Sequence, residues 1–135
     1  MNENFGDKII AFKRKLKLDS SLPLGVGVLN PLADNGQAIE ASSKFNRKYY
    51  SDNCKRIMTL GITPGRFGTR VTGVPFTDTK RLKEKCGTII KGIETYEPFA
   101  AFVYKVIAPF GGTKEFYSKF YINSACPLGF TIKSI

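Results

Sequence analysis

The sequence predicts an α/β fold with a mainly parallel sheet, and three observations predict it. Short apolar runs at residues 56–62, "RIMTLGI", and 120–125, "FYINSA", read as strands. Segments with helical spacing of apolar residues lie before and between them, the alternation that places crossover helices on a parallel sheet. A loop rich in glycine and proline, residues 61–76, leaves the end of the first run. In such folds ligands bind at the carboxyl ends of the strands.

The elements follow in order. Phe5, Ile9, Phe12 and Leu16 recur at helical spacing with Lys8, Lys13, Arg14, Lys15 and Lys17 between them, which predicts an amphipathic helix with a basic outer face. "SSLPLGVGVLNPLADNG" reads as an irregular connector, and its Gly25 and Gly27 lack the third glycine and the helix start of a dinucleotide fingerprint. Residues 37–50 form a second helix, with Ala41 and Phe45 on one stripe and Ile39, Ser43, Asn46 and Tyr50 on another. The run at 56–62 is read as a buried strand. Asp78 caps a short helix through "TKRLKEK", closed by Gly87, and "TIIKGI" reads as a second strand. Pro98 opens a helix whose Phe99, Phe102, Val103, Val106 and Ile107 are expected in the core, stopped by "APFGG". Thr113 caps another brief helix before the strand "FYINSA".

Length and composition limit the function classes. With 135 residues, 42% hydrophobic and 24% charged, residues 1–135 read as a single folded, soluble domain. No apolar run approaches the roughly 18 residues of a membrane span, so no membrane partner is expected. Twenty-one Lys and Arg against eleven Asp and Glu leave a net charge of +10, which favours a polyanion such as nucleic acid. Cys54, Cys86 and Cys126 are too far apart for a zinc motif or a disulfide framework. Three free thiols and the absence of a secretory leader point to the cytoplasm. With no histidine anywhere, triads of the Ser-His-Asp or Cys-His kind are excluded.

The loop "GITPGRFGTRVTGVPF" holds four of the thirteen glycines and two of the seven prolines. Gly61, Gly65, Gly68 and Gly73 allow close approach of the main chain or positive φ, while Pro64 and Pro75 stiffen the path. It is not a phosphate-cradling loop, because GxxxxGK[ST] is not matched. Something must need bare backbone there.

Together with "FYINSACPLGF" and the upstream "VLNPL", "GITPGRFGTRVTGVPFTDTKRL" resembles the single-strand-selective monofunctional uracil-DNA glycosylases, especially a bacterial branch whose loop runs GINPGRFG and then TGIPFTD. The resemblance covers roughly residues 28–130. It implies a three-layer αβα sandwich around a parallel sheet, and cleavage of the N-glycosidic bond of uracil in DNA with neither cofactor nor metal. A flipped base must be stacked, read along its edge, and released as an anion while water reaches the sugar. By the resemblance Phe76 stacks on the base and Asn123 reads it through its amide. Main-chain groups around Ile62, Gly65, Phe67 and Gly68 contact the base or its phosphates, and Arg66, Arg70, Lys80 and Arg81 attract the DNA backbone.

The chain departs from the family pattern at two places. Thr63 stands where the family has the asparagine that orients the attacking water, so it is the catalytic candidate. The family's HPSP-type motif, with its histidine, is absent. The chain therefore reads as the amino-terminal half to two-thirds of such a domain, with a sheet incomplete at the carboxyl end and open to self-association. Three function classes follow: a uracil-DNA glycosylase of base-excision repair, a DNA-binding form that does not cleave, and an inert remnant or a piece completed by another chain.

Overall fold

In the computed structural model, which describes residues 2–62, 64–66 and 68–132, helix α1 (Phe5–Lys15) starts from a reciprocal cap. Asn4 Oδ1 accepts from Asp7 N at 2.9 Å, and the Asp7 carboxylate accepts from Asn4 N. Strand β1 (Val26–Leu29) follows, then α2 (Pro31–Asp34), capped by Asn30, and the long helix α3 (Gly36–Tyr49), capped by Asn35. Strand β2 (Ile57–Gly61) leads through the glycine-rich loop to α4 (Thr69–Thr72) and α5 (Thr79–Cys86). Helix α6 (Pro98–Ile107) runs into a 3-10 turn (Ala108–Phe110), and α7 (Thr113–Lys119) enters β3 (Phe120–Ser124) directly. The last described element is β4 (Gly129–Ile132).

The chain is α/β, and among the described residues its strands form two two-stranded sheets. β2 and β3 pair in parallel, Ile57 beside Phe120 through to Gly61 beside Ser124. β1 and β4 pair antiparallel, Val26 beside Ile132 and Leu29 beside Gly129. Helix α3 lies at the centre. Its Ala41, Phe45 and Tyr49 join Tyr50, Leu82, Tyr104, Ile107 and Tyr117 in one core. Most of the aromatic rings meet edge to face, as Phe45 does on Tyr117 at 4.9 Å between centroids, while Phe116 and Phe120 stack. The core tyrosine hydroxyls find partners: Tyr104 bonds Thr77 Oγ1 at 2.8 Å, and Tyr50 donates to the Phe120 carbonyl at 3.2 Å.

Several expectations are corrected. "TIIKGI" is a loop and turn, because Gly92 takes a left-handed φ of 81° and only Ile90 of its isoleucines is buried. "GVGVLN" is strand rather than connector. Its partner lies a hundred residues later, so nothing local announces it. β2 is a strand but not a buried one: Ile57, Met58 and Leu60 are all exposed, on both faces. Helix α6 buries Ala100, Tyr104 and Ile107, whereas Phe99 and Phe102 are each 66% exposed and Val106 is exposed too. The expected stripe is therefore split: Val103 and Ile107 face the core, whereas Phe99, Phe102 and Val106 point away from it and Ala100 and Tyr104 take the inner side. In α1 the basic outer face holds for Lys8, Arg14 and Lys15, but Phe12 is exposed and Lys13 is buried, the reverse of what was expected of those two. Gly112, not Thr113, takes the cap position of α7, and the Thr113 hydroxyl instead accepts from Tyr49 at 2.9 Å.

Helix α1 is pressed onto α3 through a glycine. Gly6 N donates to the Tyr50 carbonyl at 2.7 Å, and a Cβ on Gly6 would lie 2.6 Å from the Asn46 carbonyl oxygen. Helix propensity favours Gly6→Ala by about 1 kcal/mol, but overlap with rigid backbone costs about 1–3 kcal/mol and removes a buried hydrogen bond. Gly6→Ala is expected to lower the urea midpoint with a net loss of about 2 kcal/mol. Gly36→Ala, where a Cβ meets nothing within 4 Å, is expected to stay within about 0.5 kcal/mol of wild type.

Candidate functional site

Because β2 and β3 run in parallel, their carboxyl ends finish side by side, with Leu60 next to Asn123 and Gly61 next to Ser124. Past the strand ends the two loops stay joined. Ala125 N donates to the Gly61 carbonyl at 2.7 Å and Cys126 N to the Ile62 carbonyl at 3.1 Å. This brings both sequence motifs to one end of the molecule.

The returning loop is held from inside. The buried Thr72 hydroxyl donates to the Thr77 carbonyl at 2.7 Å and accepts from Val74 N at 3.0 Å. Gly73 closes α4 at a φ of 71°, where a Cβ would lie 2.6 Å from the Ala38 carbonyl oxygen. Phe76 follows Pro75 at a φ of 51°, the one non-glycine positive φ among the described residues. Such a conformation persists only where surrounding structure enforces it.

A cavity of about 410 Å³ opens at these strand ends, lined by Gly61, Ile62, Pro64, Phe76, Glu97 and Ser124 among others. It explains the bare backbone. A Cβ on Gly61 would meet the Phe76 ring at 2.9 Å, so the ring lies across the end of β2, one side against the core and the other on the cavity. Gly65 and Gly68 are bare beneath Glu97: a Cβ on the first would overlap Oε1, and one on the second Oε2. Partial burial, and then the charge of Asp78, raise the Glu97 carboxyl above its usual range.

Asn123 lines an adjoining cleft of about 10 Å³, room for one water, with Lys13, Gly73 and Pro127. Thr69 and Ser124 form the wall common to both spaces. Asn123 Oδ1 accepts from Ser124 N at 2.9 Å, so part of its amide already bonds its own chain. Thr63 and Phe67 lie outside the described residues. Ile62 and Arg66 are exposed beside the cavity mouth. Lys80 is exposed on α5, 5.8 Å from the Tyr96 ring. Arg81 is engaged internally, bonding Asp78 Oδ2 at 2.9 Å and lying over Tyr96 at 4.6 Å. Arg70 packs its guanidinium onto Gly129, where a Cβ would come within 2.7 Å of it. A larger cavity of about 490 Å³ lies between α5 and residues 89–96, away from the strand ends. Among the described residues no group of three or more His, Cys, Asp or Glu side chains is placed to hold a metal ion.

Two residues at the site carried no sequence signal. Glu97 is only the residue before a helix-starting proline, and Lys13 looked like one of several surface lysines. Spacing along the chain cannot reveal that either meets a loop 29 to 60 residues away.

No protein-family model and no curated protein matches the chain. Among solved structures it is similar to wild-type Pedobacter heparinus SMUG2, with 45% identity and a TM-score of 0.92. That match covers 96% of this chain and 56% of the SMUG2 chain, so the chain spans little more than half the length of this relative. The kinship inferred from the two motifs is thereby shown: the chain is a relative of the single-strand-selective monofunctional members of the uracil-DNA glycosylase superfamily.

Lys13 ties the site to the body of the fold. Only 6% exposed, it donates to Ser42 Oγ at 3.0 Å and to the Gly73 carbonyl at 3.1 Å. Burial lowers its pKa from 10.5 to about 8. The unfolded chain thus holds the extra proton between pH 8 and 10.5, and the burial penalty, complete below pH 8, is relieved as pH rises through that window. Relative to Lys13→Met, wild-type stability is expected to rise by on the order of 2 kcal/mol between about pH 8 and 9.5, and to be flat from about pH 6 to 7. Paired urea titrations check this, since the shared tyrosine ionisations cancel in the difference.

Proposed function

We propose that this relative of the single-strand-selective monofunctional uracil-DNA glycosylases binds DNA at the joined ends of β2 and β3 and acts on a flipped uracil or related deaminated base in base-excision repair. The observation that carries the reading is the cavity in which Phe76 offers a ring face at the end of a glycine-rich loop. A base entering there stacks on Phe76 and reaches main-chain groups of Ile62, Gly65 and Gly68, and Asn123 reads its edge once Thr69 and Ser124, which separate its cleft from the cavity, give way. Arg66, exposed in the glycine-rich loop, meets a phosphate next to the base and Lys80, exposed on α5, one farther along the strand, while Arg70 and Arg81 act through the loops they hold. The same proposal includes preference for single strands, residence in the cytoplasm, and completion of the two small sheets into a three-layer αβα sandwich. The exposed apolar residues of β2 and α6 are the surface through which that completion, or self-association, proceeds.

A second reading, binding without cleavage, is favoured by the threonine at position 63. Loss of one positioned polar group at a reacting centre typically costs about 10² to 10³ in rate.

Binding of a uracil-containing single strand is expected to weaken roughly tenfold between about 50 and 200 mM salt, as release of counterions from about three phosphates requires. Fluorescence anisotropy reads this, and a flat response or no binding at low salt removes the DNA-binding proposal.

In a uracil-release assay the 135 residues alone are expected to stay near background, with or without Thr63→Asn. A chimera carrying the part of SMUG2 without a counterpart here is expected to release uracil, and Thr63→Asn to increase it further. Robust turnover by the unmodified chain would show that its catalytic groups are others than these.

A further inference from the structure

Among the described residues, Glu97 is the one ionisable side chain that lines the strand-end cavity. Its place is prepared from two sides. Beneath it, Gly65 and Gly68 leave their Cβ positions to the two carboxylate oxygens. Behind it, Glu97 N donates to Asp78 Oδ2 at 2.8 Å, which fixes the residue at the start of α6. Among the described residues the carboxylate has no hydrogen-bond or ion-pair partner, and it lines the cavity. In a protein of net charge +10 that meets a polyanion, a carboxylate at the mouth of the site opposes binding. Affinity alone does not explain it. A group that develops positive charge does.

We propose that Glu97 is a catalytic residue that faces the deoxyribose, stabilising positive charge at C1′ and receiving a proton from the attacking water. The proposal rests on the glycosylase reading above. In that reaction the C1′–N1 bond breaks and its electron pair leaves with the base, so the sugar becomes cationic as the base becomes anionic. Water then forms the new C1′–O bond while one of its protons passes to a Glu97 oxygen. That proton later goes to the released base anion or to solvent, which restores the carboxylate. The ring of Phe76 lines the same cavity, so base and sugar each meet the surface suited to them: an aromatic face for the first and an anion for the second. Partial burial and the nearby Asp78 make this carboxyl a better proton acceptor than an exposed one. A side chain at position 97 thus supplies a carboxylate that a threonine at position 63 lacks.

The test reads binding, so it needs no turnover. Three otherwise identical single strands are compared: one unmodified, one with a neutral tetrahydrofuran abasic site, and one with a cationic pyrrolidine abasic site. The wild-type chain is expected to bind the pyrrolidine strand roughly tenfold tighter than the tetrahydrofuran strand, the scale of a partly buried charge pair. In Glu97→Gln, which keeps the backbone bond to Asp78 and the side-chain volume, this ratio is expected to fall to near one. Its affinity for the tetrahydrofuran strand should be unchanged or higher, because an anion has been removed. Glu97→Asp, with a shorter carboxylate, is expected to keep an intermediate ratio, and it decides the matter if the glutamine variant melts early. A ratio that survives in Glu97→Gln overturns the proposal. So does a wild-type chain that prefers tetrahydrofuran to unmodified DNA but does not distinguish the two abasic analogues; the glycosylase reading then stands. No preference for either abasic strand over unmodified DNA overturns both.

Discussion

The carboxylate of Asp78 is completely buried and holds together the parts of the chain that make the site. One oxygen caps α5 by accepting from Arg81 N at 2.8 Å. The other accepts from Arg81 Nη1 at 2.9 Å and from Glu97 N at 2.8 Å. The starts of α5 and α6 are thereby joined at a single charged group. A buried charge is tolerated only when its lone pairs are met in good geometry, and removing one partner of such a pair typically costs about 3–5 kcal/mol. The described residues just N-terminal to Asp78 are tied in beside this anchor. Thr77 is locked to Tyr104, Thr72 to Thr77, and Phe76 is left between them in a strained conformation.

From that anchor the two walls of the cavity follow. Phe76 crosses the end of β2 over Gly61, and the Glu97 carboxylate reaches over the loop into the space left at Gly65 and Gly68. The glycines are thus less hinges than clearances for two side chains that come from elsewhere in the sequence. A third tie, the ammonium of Lys13 on the Gly73 carbonyl, fastens the same loop to α1 and α3 at the cost of burying a cation. The site is built from rigid attachments on three sides, as preorganised recognition of one base requires.

The opposite tendency appears at β2 and α6. Ile57, Met58, Leu60, Phe99 and Phe102 are large, apolar and exposed, and β2 pairs on one edge alone among the described strands. A parallel strand is ordinarily covered on both faces. The relative's chain is nearly twice as long as the matched part, while the matched part agrees closely in fold. The site and the uncovered surface meet at Ile62 and Phe99, so whatever covers β2 and α6 also shapes the rim of the cavity.

What the sequence by itself determined was local. The Asp78 cap, the Gly87 stop, the proline start of α6 and the strands at 57–61 and 120–124 are each dictated by short-range sterics and hydrogen bonding, and the two family motifs located the strand ends. Only the tertiary structure decided which faces are buried. Residues 26–29 become a strand because residues 129–132 come to lie beside them, and Phe99 and Phe102 stay outside because Tyr104 and Thr77 complete a buried hydrogen bond. The loop motif announced bare backbone but not its cause. Clearance is a relation between atoms distant along the chain, and Glu97 reaches Gly65 and Gly68 only after Asp78 has drawn the start of α6 to the start of α5.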